Sequence, residues 1–428
     1  MKLTRGTLMA AALFCCMLPA HADQVLYQYS TWLIKDGKAG SVAAFQSALN
    51  ETFKNCGSTT RLTPDGVFGN GTKTAIIEAS DCQSVSDALD PASAAHNGAI
   101  THDLWKIVLP DTPVPSVAQR AAALKLTFEA TDYDRMQWNY CQNRPLYSPQ
   151  DGRTVCKSND RASFITWGPN GATAGHGREV QAVLNLFLES DGGEAALASA
   201  FGDETTSVKR MLTLKHDANG PLETYLCGVW LDKARRATWR EGFRTLGRNP
   251  AVQSAYKTIY GSRSFDGGKI NRFYKVWTSD AFDLPVTELD HGWFVDRATH
   301  MSISESKLRT ALQTLKQSSG ESWPPSAAAI RQYVSLNVRP PNQREDRLGR
   351  DIAFYADAIG EANLSAEEGS AWRNRGKRDA VNIGLSDQRT MPDYSPAPSI
   401  PHPMPTGVLS AEEASICPEA VLNPERPS

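Results

Sequence analysis

Apolar positions recur at intervals of three and four over much of the chain. Val42, Phe45, Leu49 and Phe53 share one face of a predicted helix, because residues at that spacing lie above one another on a helical surface. A second helix is predicted from about Thr72 to Ser80, and a third, short one after Thr101, a natural N-cap ahead of Leu104 and Trp105. Further along, Val180, Val183, Leu184, Phe187 and Leu188 repeat the stripe before Gly192-Gly193 stops it, and Val252, Ala255, Tyr256 and Ile259 repeat it after Asn249-Pro250. Alternation of period two is scarce. Its best instance is Ser163-Phe164-Ile165-Thr166-Trp167, followed by the glycine-rich run 168–177. The pattern predicts a mainly α protein with a short β element.

Punctuation divides this pattern. Pro110, Pro113 and Pro115 interrupt regular structure and predict a linker over 111–116 between a unit at 23–110 and a larger one at 117–390. From 391 to 428 the density of prolines predicts an extended tail. At the other end, Lys2 and Arg5 precede an apolar stretch from Leu8 to Leu18 that closes with Ala20-His21-Ala22. This is the pattern of a secretory signal peptide over residues 1–22, too short in its apolar part to span a bilayer, so a periplasmic or secreted protein with no stable membrane anchor after cleavage is expected.

Composition narrows the classes. Hydrophobic residues make up 41% and charged residues 21% of the 428, an ordinary globular mix. With 45 basic against 47 acidic side chains the chain lacks the basic excess of a nucleic-acid binder. Beyond the leader stand Cys56, Cys82, Cys141, Cys156, Cys227 and Cys417. Their fifteen possible connectivities stay open from sequence, although proximity favours Cys56 with Cys82 and Cys141 with Cys156, leaving Cys227 to hold the tail through Cys417. There is no CxxC or HExxH, and no metal, nucleotide or other cofactor is expected.

Asp65-Gly66-Val67-Phe68-Gly69, followed by Thr72 and Thr74-Ala75-Ile76, resembles the type 1 peptidoglycan-binding module, whose hallmark is a D-G-x-F-G turn leading into a helix. Phe45, Gln46, Leu49 and Asn50 match the module's opening helix, and Gly98-Ala99-Ile100-Thr101 to Trp105 its closing block. Gly66 and Gly69 are both expected to take positive φ and fold the backbone around a buried Phe68. The resemblance implies a small, non-catalytic three-helix domain that holds an attached domain on the cell wall. The insertion between Asp81 and Gly98, with Cys56 and Cys82, departs from it.

Glycoside hydrolysis needs one protonated carboxyl for the leaving oxygen and one carboxylate to activate water or attack the sugar. Glu129 ends a mostly apolar stretch of Ala122, Leu124, Leu126 and Phe128, where burial suits a proton donor, and Asp160 lies shortly before the 163–167 strand. Glu129, Gln137-Trp138-Asn139-Tyr140, Asp160-Arg161 through Thr166-Trp167-Gly168, and the run from Gly171 to Arg178 resemble family 46 chitosanases, lysozyme-like hydrolases in which a Glu on a helix precedes a short aromatic helix and a D-G-R-G-(I/Y)-T-x-G segment. The resemblance implies a lysozyme-like α+β domain and an inverting mechanism. Glu129 would be general acid, Asp160 general base, Thr166 a water-positioning hydroxyl and Arg161 a salt-bridge partner. Trp138, Tyr140 and Trp167 are candidate sugar-stacking rings, and His176 a candidate substrate contact. Arg178 stands where the family has an acid, which argues for an N-acetylated or anionic glycan over chitosan. The reading is a cell-wall hydrolase acting on a β-1,4 bond of peptidoglycan, with a chitosanase as the alternative and a non-catalytic wall-binding envelope protein as the alternative of another class. A lytic transglycosylase, needing one acid and no base, also remains open.

Overall fold

The stripe over Val42 to Phe53 folds as α1 (Ser41–Asn55), which buries Val42, Phe45, Leu49 and Phe53 and stacks Phe45 on Trp105 with ring centroids 5.6 Å apart. The computed structural model describes residues 24–29, 34–129, 132–139, 146–148, 153–155, 163–218, 220–299, 303–338, 350–355, 383–391, 394–400 and 404–417. Around α1 lie α2 (Asn70–Ser80), α3 (Gln83–Ser86) and α4 (His102–Val108), the last capped by the Thr101 hydroxyl accepting from the Leu104 N–H at 3.2 Å. Two short antiparallel ribbons complete this part: β1 (Val25–Tyr27) with β4 (Ile100–Thr101), and β2 (Ile34–Lys35) with β3 (Val67–Phe68). The expected Cys56–Cys82 bridge ties the ends of α1 and α2 across a Cα separation of 5.9 Å.

The D-G-x-F-G segment is held by a buried amide. Gln46 accepts from the Gly66 N–H at 3.0 Å and donates to Asp65 Oδ1, the Val67 carbonyl and Thr72 Oγ1 within 3.2 Å. Gly66 has φ 73°, and a Cβ there would lie 2.0 Å from the Gly37 carbonyl oxygen. Gly69 corrects the sequence reading: its φ is −102°, extended backbone that serves as the N-cap of α2.

After the prolines, α5 (Val117–Glu129) leads to β5 (Met136–Trp138), β8 (Ser163–Trp167) and β9 (Ala172–Gly175), an antiparallel sheet of order β5-β8-β9. A separate ribbon pairs β6 (Leu146–Ser148) with β7 (Arg153–Val155). The chitosanase resemblance implies a helix over 137–140, but Gln137 and Trp138 lie in a strand instead, because Met136, Gln137 and Trp138 find ladder partners in Trp167, Thr166 and Ile165. Among the described residues there follow α6 (Glu179–Leu188), α7 (Gly193–Phe201), α8 (Thr205–Thr213), α9 (Pro221–Leu231), α10 (Lys233–Gly247), α11 (Pro250–Gly261), α12 (Asp266–Trp277), α13 (Glu288–Thr299), α14 (Glu305–Ser319) and α15 (Ala327–Asn337). Both stripes at Val180 and Val252 fall on helices, and Asn249 caps α11 through the Ala251 N–H. The protein is mainly helical, and no helix among the described residues is long and apolar enough to cross a membrane.

Two hydrophobic clusters organise these elements. One joins the N-terminal ribbons and α1–α4 to α5 and α12–α15; the other joins the sheet to α6–α11. Apolar packing therefore continues from the N-terminal part onto α5 across the prolines, where Trp105 Nε1 donates to the Thr112 carbonyl at 3.0 Å. The tail passes over both clusters. Thr390 bridges Thr287, Tyr394 stacks on Tyr274, Ala397 pairs with Ser262 and Gly407 with Leu214. A short helix, α16 (Ala411–Ser415), interrupts the expected extended course with a capping box on Ser410, before Cys417 closes its bridge to Cys227.

Candidate functional site

Between the two clusters lies a cavity of about 370 Å³. Ala118, Ala122, Lys125 and Leu126 present one face of α5 to it, and Pro169-Asn170 enters from the β8–β9 turn. That turn is pinned by Tyr256, whose hydroxyl donates to the Trp167 carbonyl at 3.0 Å and accepts from the N–H groups of Asn170 and Ala172. Gly168 turns under the same ring with φ 73°, where a Cβ would lie 2.7 Å from the aromatic edge.

Among the described residues, Asp36 and Asp266 bring carboxyl groups to this space. Asp36 precedes α1 and does the capping that Gly40 cannot: its Oδ2 accepts from the Val42 N–H at 3.0 Å. Burial pushes its carboxyl up to about 7, against the pull of the Val42 and Ser41 N–H groups and of Lys257, and with a smaller push from Asp132. Asp266, in the first turn of α12, accepts from Thr299 Oγ1 at 2.5 Å and faces Lys269 Nζ at 3.2 Å. Lys125 Nζ in turn donates to Thr299 Oγ1 at 3.3 Å, so α5, α13 and α12 are linked by one polar chain along the wall.

His291 forms another part of the lining. Its Nδ1 meets the Tyr274 hydroxyl at 2.9 Å, Nε2 has no hydrogen-bond partner among the described residues, and burial pushes its pKa down to about 4, so the ring is neutral near neutral pH. Tyr133, Tyr260 and Tyr394 add aromatic surface. Carboxyls in unlike surroundings, ammonium groups and rings are the equipment of a site that binds a hydroxyl-rich ligand and moves protons.

The sequence candidates distribute unevenly about this cavity. Glu129 is the last residue of α5, and its position continues the helical row 118, 122, 125 that lines the cavity; its side chain lies outside the described residues. Tyr140, Asp160, Arg161, Cys141 and Cys156 also lie outside them. Thr166 sits in β8 opposite Gln137 and accepts a close hydrogen bond from Asn139 Nδ2.

Trp138 and Trp167 are corrected from stacking rings to core. Trp138 is 6% exposed and donates Nε1 to the Arg236 carbonyl. Trp167 is fully buried, donates to the Tyr133 carbonyl and meets Phe243 and Tyr256 edge-on, so neither can offer a face to sugar. His176 turns its Nε2 to the fully buried Glu223, and its carbonyl accepts from His216 Nδ1 at 3.0 Å. Arg178 lies over the Phe265 ring at 5.3 Å, beside Met404, in a smaller cavity of about 120 Å³ that also includes Ile400 and Pro405 of the tail. In the N-terminal part Phe68 and Trp105 are core residues, and Asp65 Oδ1 accepts from the Val67 N–H within the turn.

Asp36, Lys125, Lys257, Asp266 and His291 were not candidates from sequence. Only Asp36 had a local signal, an acid shortly before a helix whose own N-cap is glycine. Among the described residues no group of three or more His, Cys, Asp or Glu could hold a metal ion. Comparison with family models, curated proteins and solved structures finds no match to the chain.

Proposed function

We propose that the protein is a cell-wall glycoside hydrolase that cleaves a β-1,4 bond of peptidoglycan by acid and base catalysis, with the N-terminal part as its wall-binding module. The observation that carries the reading is the cavity between the two hydrophobic clusters, towards which a helix ending in Glu129 and the turn of a three-stranded antiparallel sheet converge. A polysaccharide strand needs a cleft walled on both sides, because the acid and the activated water work on opposite faces of the sugar. Glu129 at the helix end would protonate the leaving oxygen. Asp160 would activate the water and Thr166 would orient it, as the chitosanase resemblance implies. Lys125 and Lys257 on the cavity wall favour an N-acetylated, carboxylate-bearing glycan over the polycation chitosan.

The test incubates the mature chain, Glu129→Gln and Asp160→Asn with peptidoglycan sacculi and, separately, chitosan, and identifies soluble products by mass spectrometry. Reducing-end muropeptides from wild type and not from Glu129→Gln are expected. Anhydro ends would assign a lytic transglycosylase, and chitosan fragments a chitosanase. Sacculi that retain the protein without being cut would leave a binding protein and remove the catalytic assignments.

A further inference from the structure

The wall-binding part of such a protein is ordinarily a tether, joined to the enzyme by a linker and remote from the bond being cut. Here three observations place it inside the cleft. First, the segment Asp36–Ser41, which belongs to the N-terminal part, lines the cavity through Asp36, Ala39, Gly40 and Ser41, opposite Lys257 and Tyr260 of α11. Second, that segment is fastened to the other half rather than merely near it. The Lys35 N–H donates to Thr127 Oγ1 of α5 at 3.0 Å, the Lys38 N–H to Asp132 Oδ2 at 3.1 Å, and Lys38 Nζ lies 3.6 Å from Asp134 Oδ2. Third, its shape is set from within the N-terminal part. The Asp36 N–H donates to the Gly66 carbonyl at 2.9 Å, and the Asp36 carboxyl caps α1, so the D-G-x-F-G turn and the first helix together present the segment to the cavity.

We propose that the N-terminal module supplies one wall of the substrate cleft, and that Asp36 is a substrate-binding residue that hydrogen-bonds a sugar hydroxyl or acetamido group held against Lys257 and Tyr260. The proposal rests on the glycan-hydrolase reading of the cavity. The ligand is an N-acetylated glycan strand, and the module and the helical half bind it as one site. Binding to the wall and entry into the cleft are then one event. The strand captured by the module is the strand presented to α5.

The full-length protein carries the test. Ala39 is exposed and lines the cavity, so Ala39→Trp fills the cleft from the module side without entering either core. Asp36→Asn keeps an acceptor for the Val42 N–H and replaces one carboxyl oxygen by an amide nitrogen. Steady-state kinetics on soluble, uncrosslinked glycan fragments of alternating N-acetylglucosamine and N-acetylmuramic acid are measured for both variants, with circular dichroism as the fold control. A rise in KM of about tenfold or more is expected, the scale of one lost hydrogen bond.

KM and kcat within about twofold of wild type in both variants would overturn the proposal and leave the hydrolase reading standing. If wild type cuts no glycan, that reading has failed, and calorimetric titration with the same fragments decides the proposal separately. Binding by wild type that Ala39→Trp abolishes upholds the module as a cleft wall. Binding that Ala39→Trp leaves intact, or no binding at all, overturns it.

Discussion

Asp36 makes the stability of the protein depend on pH in a direction opposite to that of most carboxylates. Its carboxyl is raised from 3.8 to about 7, so the folded chain holds this proton about three pH units more tightly than the unfolded chain does. At about 1.4 kcal/mol per unit this amounts to about 4 kcal/mol. Because the folded value lies above the unfolded one, the contribution is fully present below about pH 4 and is lost as pH rises through about 7. Asp36→Asn removes the titration and keeps the cap on α1. Denaturant unfolding of both proteins at pH 4.5, 6 and 8, with disulfides intact, should therefore show wild type losing ground to the variant as pH rises. The difference between them should move by about 4 kcal/mol at most, with the steepest change between pH 5 and 7. Stability curves that stay parallel within about 0.5 kcal/mol across that window, or that diverge in the opposite sense, would refute the assignment of a buried, protonatable Asp36. Lys257 pulls the carboxyl down and Asp132 pushes it up. Lys257→Met should accordingly move the upper end of the transition to higher pH and leave its lower end near pH 4.

Other outcomes follow from features that do not involve this acid. Glu129→Gln should lower kcat on peptidoglycan by about 10²- to 10⁴-fold while sacculi still retain the protein, as removal of a general acid requires. Gly66→Ala places a Cβ at positive φ and 2.0 Å from the Gly37 carbonyl oxygen, so a loss of at least about 2 kcal/mol is expected, read as a lower melting temperature by calorimetry. The double variant Cys227→Ser, Cys417→Ser should fold and yet release the tail to limited proteolysis near residues 404–417, whereas wild type resists until reductant is added. Equal cleavage rates in the two proteins would mean that hydrogen bonds alone hold the tail.

What was legible in the sequence is what neighbours along the chain decide. The stripe from Val42 to Phe53, the cap at Thr101 and the Asn249-Pro250 start of α11 each need only a few consecutive residues, and each folds as read. The ribbons β1–β4 and β2–β3 were not legible, because strands of two or three residues leave no alternation to detect and gain their partners from 32 to 76 positions away. The same holds for β5, whose ladder to β8 overrides the helix expected over 137–140. Trp138 and Trp167 look like binding rings in a polar, glycine-rich neighbourhood, and only the packing of α10 and α11 shows them to be covered. The cavity itself unites residues between 36 and 394, a grouping that no motif of short range expresses.

The two disulfides among the described residues divide labour by reach. Cys56 and Cys82 are 26 residues apart and can join as soon as α1 and α2 have met, whereas Cys227 and Cys417 are 190 apart. Chain-entropy arithmetic assigns about 3.5 kcal/mol to the first closure and about 5 kcal/mol to the second. What each closure requires of the fold differs more than the energy. The second ring spans every described helix from α10 to α16, and its native geometry requires the tail to lie in place over both clusters. The remote bridge thus acts as a seal on completed assembly, a covalent record that the last segment has found its place.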